Sequence, residues 1–151
     1  RIRDAISHVC RSHGITCQVE PRAYAYDDGK RHRPDIVFFM DTTAVVTDVT
    51  IVSPTLDRSP GKAAQDADSQ KIREHTAATA KLGHSFIPAA MESFGFLGAG
   101  MVKLIHSLSK AVIPSSQHSF IKDLTHVITT IAAATRADAV HSAMLRRMWM
   151  S

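Results

Sequence analysis

At 151 residues and 44% hydrophobic content, the chain can bury one core and has room for one domain rather than two. Its 18 Lys and Arg against 14 Asp and Glu leave a net charge of +4, a mild excess compatible with a polyanionic partner but not diagnostic of one. Two Cys build no disulfide framework and fit a reducing compartment. No apolar run reaches the roughly 18 residues of a membrane span, and Arg1-Ile2-Arg3-Asp4 lacks the apolar core of a secretory signal.

Because the sequence starts at Arg1 rather than Met, it is expected to be a piece of a longer polypeptide. Ile2, Ile6, Val9, Cys10 and His13 recur at helical spacing, which predicts a short amphipathic helix over residues 2 to about 13, ended by Gly14. Ile15 to Val19 reads as a strand, followed by Glu20-Pro21. Tyr24 to Arg33 contains Asp28-Gly29, a turn signal between two extended pieces, and its basic cluster Lys30-Arg31-His32-Arg33 runs into Pro34-Asp35.

Ile36 to Met40 and Ala44 to Val52 are rich in Val, Ile, Thr and Phe, and the polar Asp41-Thr42-Thr43 between them predicts an antiparallel hairpin. Alternation along the second strand puts Val46, Asp48 and Thr50 on one face, with Asp48 looking out from the sheet. Ser53 to Gly61 is loop. The next run, to Leu82, is helical, with a stripe of Ala64, Ala67, Lys71, Ile72, His75, Ala78 and Leu82 that places Lys71 and His75 toward the sheet. His84 to Ala90 predicts a further strand with Pro88 at an edge or bulge, and Glu92, Gly95, Gly98 and Gly100 mark a glycine-rich turn. Helices are then expected over Met101 to Val112, Phe120 to Ala134 and Ala137 to Met150, with Thr135-Arg136 separating the last two.

The expected class is therefore α/β: a small mixed sheet flanked by helices over about residues 1–100, with a helical extension over about 101–151 of the same single domain. Two carboxylates in β-rich apolar segments cost several kcal/mol unless a cation or hydrogen bonds stabilise them. The hairpin turns Asp35 and Asp48 into near neighbours. Two such hard oxygen donors, supplemented by the backbone carbonyl of Val49, are what magnesium or manganese requires. Lys71 is the candidate to orient a nucleophile or stabilise charge developing on a phosphate.

Pro34-Asp35, then Asp48-Val49-Thr50, then a downstream Lys71, resembles the PD-(D/E)XK nuclease superfamily. More narrowly it is similar to the restriction-like endonuclease domain of site-specific non-LTR retrotransposon polyproteins. That family's basic residue before Pro-Asp, second Asp ahead of a β-branched strand, and lysine displaced onto the following helix match Arg33, Asp35, Asp48 and Lys71. Glu20-Pro21, and Phe86-Ile87-Pro88 with Glu92 and Gly95, match further family features, so the resemblance spans roughly residues 15 to 100. The sequence departs from the superfamily at Thr50, where the catalytic lysine usually stands, which leaves that role to Lys71 or to Lys62. It also carries His75 where a tyrosine often follows the displaced lysine.

The resemblance implies a restriction-endonuclease-like core and magnesium- or manganese-dependent hydrolysis of DNA. Asp35, Asp48 and Val49 would hold the metal, and Lys71 and Glu20 would join them in catalysis. Lys30, Arg31, Arg33 and His75 would face nucleic acid. It also implies a nuclear location, other reverse-transcriptase polyprotein domains as partners, and a nick in target DNA that primes reverse transcription. Each residue has a plainer reading beside this one. Glu20 and Glu92 can be solvated or structural acids, the run from Lys30 to Arg33 an ordinary basic turn, and His75 a packed, hydrogen-bonded helix histidine. Cys10 and Cys17, with His8 and His13 nearby, fit no standard zinc spacing. Met144, Leu145, Met148 and Trp149 read as core or as a partner-helix surface. Two other classes stay open: a nuclease-like fold that binds nucleic acid without cutting, and a structural module, homo-oligomeric through the apolar helices after Met101.

Overall fold

The structure is a computed structural model; it describes residues 2–54 and 59–149, with positions 140, 141 and 143–149 described as helix only. The readings of residues 55–58 as loop and of Met144, Leu145, Met148 and Trp149 as a packing cluster lie outside the described residues.

Helix α1 (Ile2–Ser12) buries Ile6, Val9 and Cys10. It ends where expected. Gly14 takes φ 84°, the Ile15 amide reaches the Cys10 carbonyl (2.9 Å) and the Gly14 amide that of Arg11 (3.0 Å), the bond pair of a Schellman cap. Strands β1 (Thr16–Val19), β2 (Ile36–Phe39) and β3 (Ala44–Thr47) then form an antiparallel meander, with Val37 opposite Val46 in the expected hairpin.

The run from Ala44 to Val52 is not one strand. It breaks at Asp48 into β3 and β4 (Val49–Val52). All four β3 residues are buried, so the alternation that pointed Asp48 outward does not hold; Asp48 is itself buried, 7% exposed. The partner strand breaks in step: β5 (Ser85–Phe86) runs parallel to β3, and β6 (Ala89–Glu92) parallel to β4. The sheets are thus a four-stranded β1-β2-β3-β5 and a two-stranded β4-β6. Pro88, with no N–H to donate, sits at the second break. The Ile87 and Ala89 amides on either side bond the Val46 and Asp48 carbonyls at 2.9 and 3.1 Å.

Helix α2 (Lys62–Ala80) joins β4 to β5. Its N-cap is Gly61, which offers no side-chain acceptor; the carboxylate of buried Glu92 accepts from the Ala63 amide instead (3.2 Å). The inward face differs from the expected stripe, because Ile72 and Leu82 are exposed while Asp68 and Thr79 are buried. Asp68 accepts from the amides of Ala90 (2.9 Å) and Gly100 (3.0 Å), tying α2 to β6 and to the start of α3 (Ala99–Ser109). A Cβ on Gly98 would stand 2.7 Å from the Ala90 carbonyl oxygen, which explains glycine there.

The C-terminal residues form one helix, α4 (Gln117–Trp149), not two. Thr135 and Arg136 contain no breaker, and the Thr135 hydroxyl folds back on the Ile131 carbonyl (2.9 Å). Phe120, Leu124, Ile128 and Ala132, four residues apart, close the core beside Ile6 and Leu104. Among the described residues no helix is long and apolar enough to cross a membrane.

The flanks of Asp28-Gly29 form no strands. The turn exists, with Gly29 at φ 69° and the Lys30 amide on Asp28 Oδ1 (3.0 Å). The segment 21–34 instead forms a strap held by side chains to α2 and to the turn between α2 and β5.

Candidate metal centre

The hairpin register places Ile36 opposite Thr47, so the residues just outside that pair, Asp35 and Asp48, come together. The Asp35 amide bonds the Thr47 carbonyl (3.0 Å) and its carbonyl accepts from the Glu20 amide (2.8 Å), which fixes the backbone on both sides. Its Oδ2 accepts from the Val49 amide (2.8 Å), and the two carboxyl groups hydrogen-bond to each other. Asp35, Asp48 and Val49 are thus adjacent, but Val49 meets Asp35 through its amide and not through the carbonyl expected to serve a metal.

Two facing carboxyls cannot both ionise cheaply without a cation. Burial, then the hydrogen bond and charge of Asp48, push the Asp35 carboxyl up to about 6. Burial opposes ionisation of Asp48 as well, but hydrogen bonds from His75, Asp35 and Lys71 outweigh it and hold that carboxyl down at about 2. The pair thus carries an ionised Asp48 and, below about pH 6, a protonated Asp35.

Lys71 projects from α2 with Nζ 2.7 Å from Asp48 Oδ2 and 3.3 Å from Glu74 Oε2. Burial alone would lower its pKa, but Asp48 and Glu74 raise it, so the ammonium stays charged. Lys62, the other candidate, pairs with Asp66 (2.9 Å) at the head of α2, about 13 Å further along the helix axis. Thr50 lies half-buried in β4.

The remaining expected residues separate into two groups. Glu20, at φ 50°, adjoins Asp35 through its backbone, but its carboxylate turns to Arg3 (2.5 Å) and Arg33 (3.5 Å). It brackets these arginines beside the site instead of joining Asp48 and Lys71. Lys30 and Arg31 are exposed on the strap. His75 is a correction. Expected to face nucleic acid, it is 1% exposed, with Nε2 3.2 Å from Asp48 Oδ2 and Nδ1 2.6 Å from the Tyr26 hydroxyl, so its ring has no open edge. Cys10 and Cys17 are buried free thiols, and burial raises both.

Sequence reasoning missed Arg3, Tyr26 and Glu74, and placed His32 only within the basic run from Lys30 to Arg33. His32 donates to Asp28 Oδ2 (2.6 Å) and pairs with Glu74, which in turn reaches Lys71. Glu74 lies three residues after Lys71, a spacing that signals a helix-surface pair; nothing local marks Tyr26 or Arg3, which reach the site from distant segments.

Among the described residues no group of three or more His, Cys, Asp and Glu is arranged as a metal cage. The donor chemistry nevertheless fits magnesium or manganese. Such an ion keeps several waters and is commonly bound through one or two carboxylates together with substrate phosphate oxygens, and the upward push that burial and Asp48 exert on the Asp35 carboxyl marks where positive charge is favoured. No protein-family model matches the chain, and no curated protein matches it.

Proposed function

We propose that this domain is a magnesium- or manganese-dependent DNA endonuclease of the PD-(D/E)XK kind, with a restriction-endonuclease-like core. The observation that carries the reading is the Lys71 ammonium, 2.7 Å from Asp48 beside the Asp35 carboxyl, although Thr50 occupies the usual lysine position. An aspartate pair can hold a divalent cation and a charged lysine can stabilise charge on a phosphate, two aids to phosphodiester hydrolysis.

Asp35 and Asp48 would hold the ion, which supplies a Lewis acid for a phosphate oxygen and acidifies a water. Water attacks phosphorus and gives up a proton to solvent as the bond to the leaving sugar oxygen breaks, and that oxygen takes a proton from solvent and leaves as a hydroxyl. Lys71, kept protonated by Asp48 and Glu74, serves to stabilise negative charge on the phosphate, not as the base. Asp48, held down at about 2, is likewise no base. Lys30, Arg31 and Arg33 hold the DNA backbone, a sequence-independent contact. In the retrotransposon setting implied by the resemblance, the nick primes reverse transcription, the partners are the other polyprotein domains, and the compartment is the nucleus.

A second reading, a nuclease-like module that binds nucleic acid without cutting it, draws support from the same oxygen. Lys71 and His75 both engage Asp48 Oδ2, so the ionised carboxylate is already compensated without a metal. Incubating supercoiled plasmid with magnesium or manganese separates the two. The endonuclease reading expects nicked circles from the wild type and none from Asp48→Ala; binding without cleavage under either ion favours the second.

A further inference from the structure

Hydrolysis as described gives no role to the most deeply buried ionisable ring in the site. His75 is 1% exposed, and a buried imidazole is tolerable only when both ring nitrogens are partnered. Nε2 faces Asp48 Oδ2 at 3.2 Å and Nδ1 faces the Tyr26 hydroxyl at 2.6 Å. An ionised carboxylate only accepts, so Nε2 carries the hydrogen. With one hydrogen on the ring, Nδ1 presents its lone pair and the Tyr26 O–H donates to it.

The ring is also held sideways. Phe86 lies against its face at 5.0 Å and 32°, and Tyr26 meets it edge-on at 5.6 Å and 81°. Tyr26 is anchored in turn, because its strap is pinned at both flanks by Tyr24 to His84 (2.9 Å) and Asp27 to Lys81 (2.7 Å). His75 and Lys71 therefore approach the same Asp48 oxygen from fixed positions, and together they set the rotation of that carboxyl group.

We propose that Tyr26 and His75 are a positioning pair, hydroxyl to imidazole to carboxylate, that orients Asp48 for a divalent cation and thereby for the phosphate it would hold. The pair acts only through Asp48 and touches no substrate. The proposal rests on the reading of Asp35 and Asp48 as a metal site, and it gives the strap a second task beyond carrying Lys30 and Arg31. A group that orients a metal ligand is worth about 10- to 100-fold in metal affinity.

The test uses the whole chain, calorimetric titration with magnesium, and nitrogen NMR of the histidine rings. Tyr26→Phe keeps the ring and removes the hydroxyl; His75→Gln keeps an N–H toward Asp48 and an acceptor toward Tyr26, and His75→Leu keeps neither. The expected wild-type spectrum shows His75 as the Nε2–H tautomer. Tyr26→Phe should keep the Nε2–H tautomer, shift the Nδ1 resonance as that nitrogen loses its hydrogen bond, and weaken magnesium about tenfold; His75→Leu should weaken it by tenfold or more, and His75→Gln should restore it. Wild-type affinity in both Tyr26→Phe and His75→Leu, or an Nδ1–H tautomer in the wild type, overturns the pair. If the wild type binds no magnesium, the metal-site reading fails, and the positioning role falls with it. An Nδ1 resonance that shifts in Tyr26→Phe while magnesium binds equally well overturns the positioning role and leaves the metal site standing.

Discussion

Lys71 stands 2.7 Å from Asp48 although 23 positions separate them, because a break in one strand turns the aspartate toward a helix that starts only at Lys62. The ammonium is thereby fixed beside the place where a phosphate would gain negative charge. Lys71→Met is expected to lower nicking by about 100-fold or more, the scale of losing one preorganised donor, with DNA affinity little changed. Single-turnover cleavage beside a filter-binding curve checks both. The same substitution removes a partner of Asp48. A carboxyl depressed to about 2 from near 3.8 contributes stability above its unfolded value and loses it as pH falls from about 4 toward 2. Lys71→Met should therefore begin acid unfolding at higher pH, followed by circular dichroism.

Asp35 has the opposite sign. Its carboxyl, raised to about 6, contributes stability that is full below about pH 4 and lost as pH rises through 6. Asp35→Asn keeps an oxygen for the Val49 amide and offers an N–H to Asp48 without a charge. At pH 8 it should stabilise the metal-free protein by about 1–2 kcal/mol once solvent screening of a half-buried group is allowed for, while abolishing nicking. Urea denaturation in chelator reads the first effect and plasmid nicking the second.

To bind the pair, magnesium would have to displace the proton on Asp35. Affinity should accordingly rise between about pH 5 and 7 and level off above, with proton release on binding that is largest at acid pH. Calorimetry in buffers of different ionisation enthalpy measures that proton directly.

The strap makes a separate prediction about salt. Lys30 and Arg31 are exposed, and alanine at both should weaken DNA binding about uniformly across sequences while reducing the salt slope by roughly 2. Cleavage of saturating DNA should change little, because neither residue touches the aspartate pair.

Much of this geometry is legible in the chain, for reasons that can be named. The β2–β3 hairpin follows from two β-branched runs around a polar turn, and its register alone brings Asp35 beside Asp48. The break at Asp48 is not legible, because hydrophobic alternation describes one strand's faces and says nothing of a change of partner from β5 to β6. The inward stripe of α2 found Lys71 and His75 but also Ile72 and Leu82, which are exposed, and it passed over Asp68, a buried acid satisfied by two distant amides. Tyr26 reaches His75 across 49 positions, and no local pattern encodes a contact made only when strap and helix pack. The last two expected helices merge because Thr135-Arg136 is polar without being a breaker.

The aspartate pair as a cation site is the claim on which the rest depends, and a manganese soak read by anomalous scattering tests it most directly. The expected result is a peak about 2.2 Å from an oxygen of each of Asp35 and Asp48, with the Lys71 ammonium still beside Asp48. No peak there at millimolar manganese above pH 7, where Asp35 has lost its proton, would contradict the account.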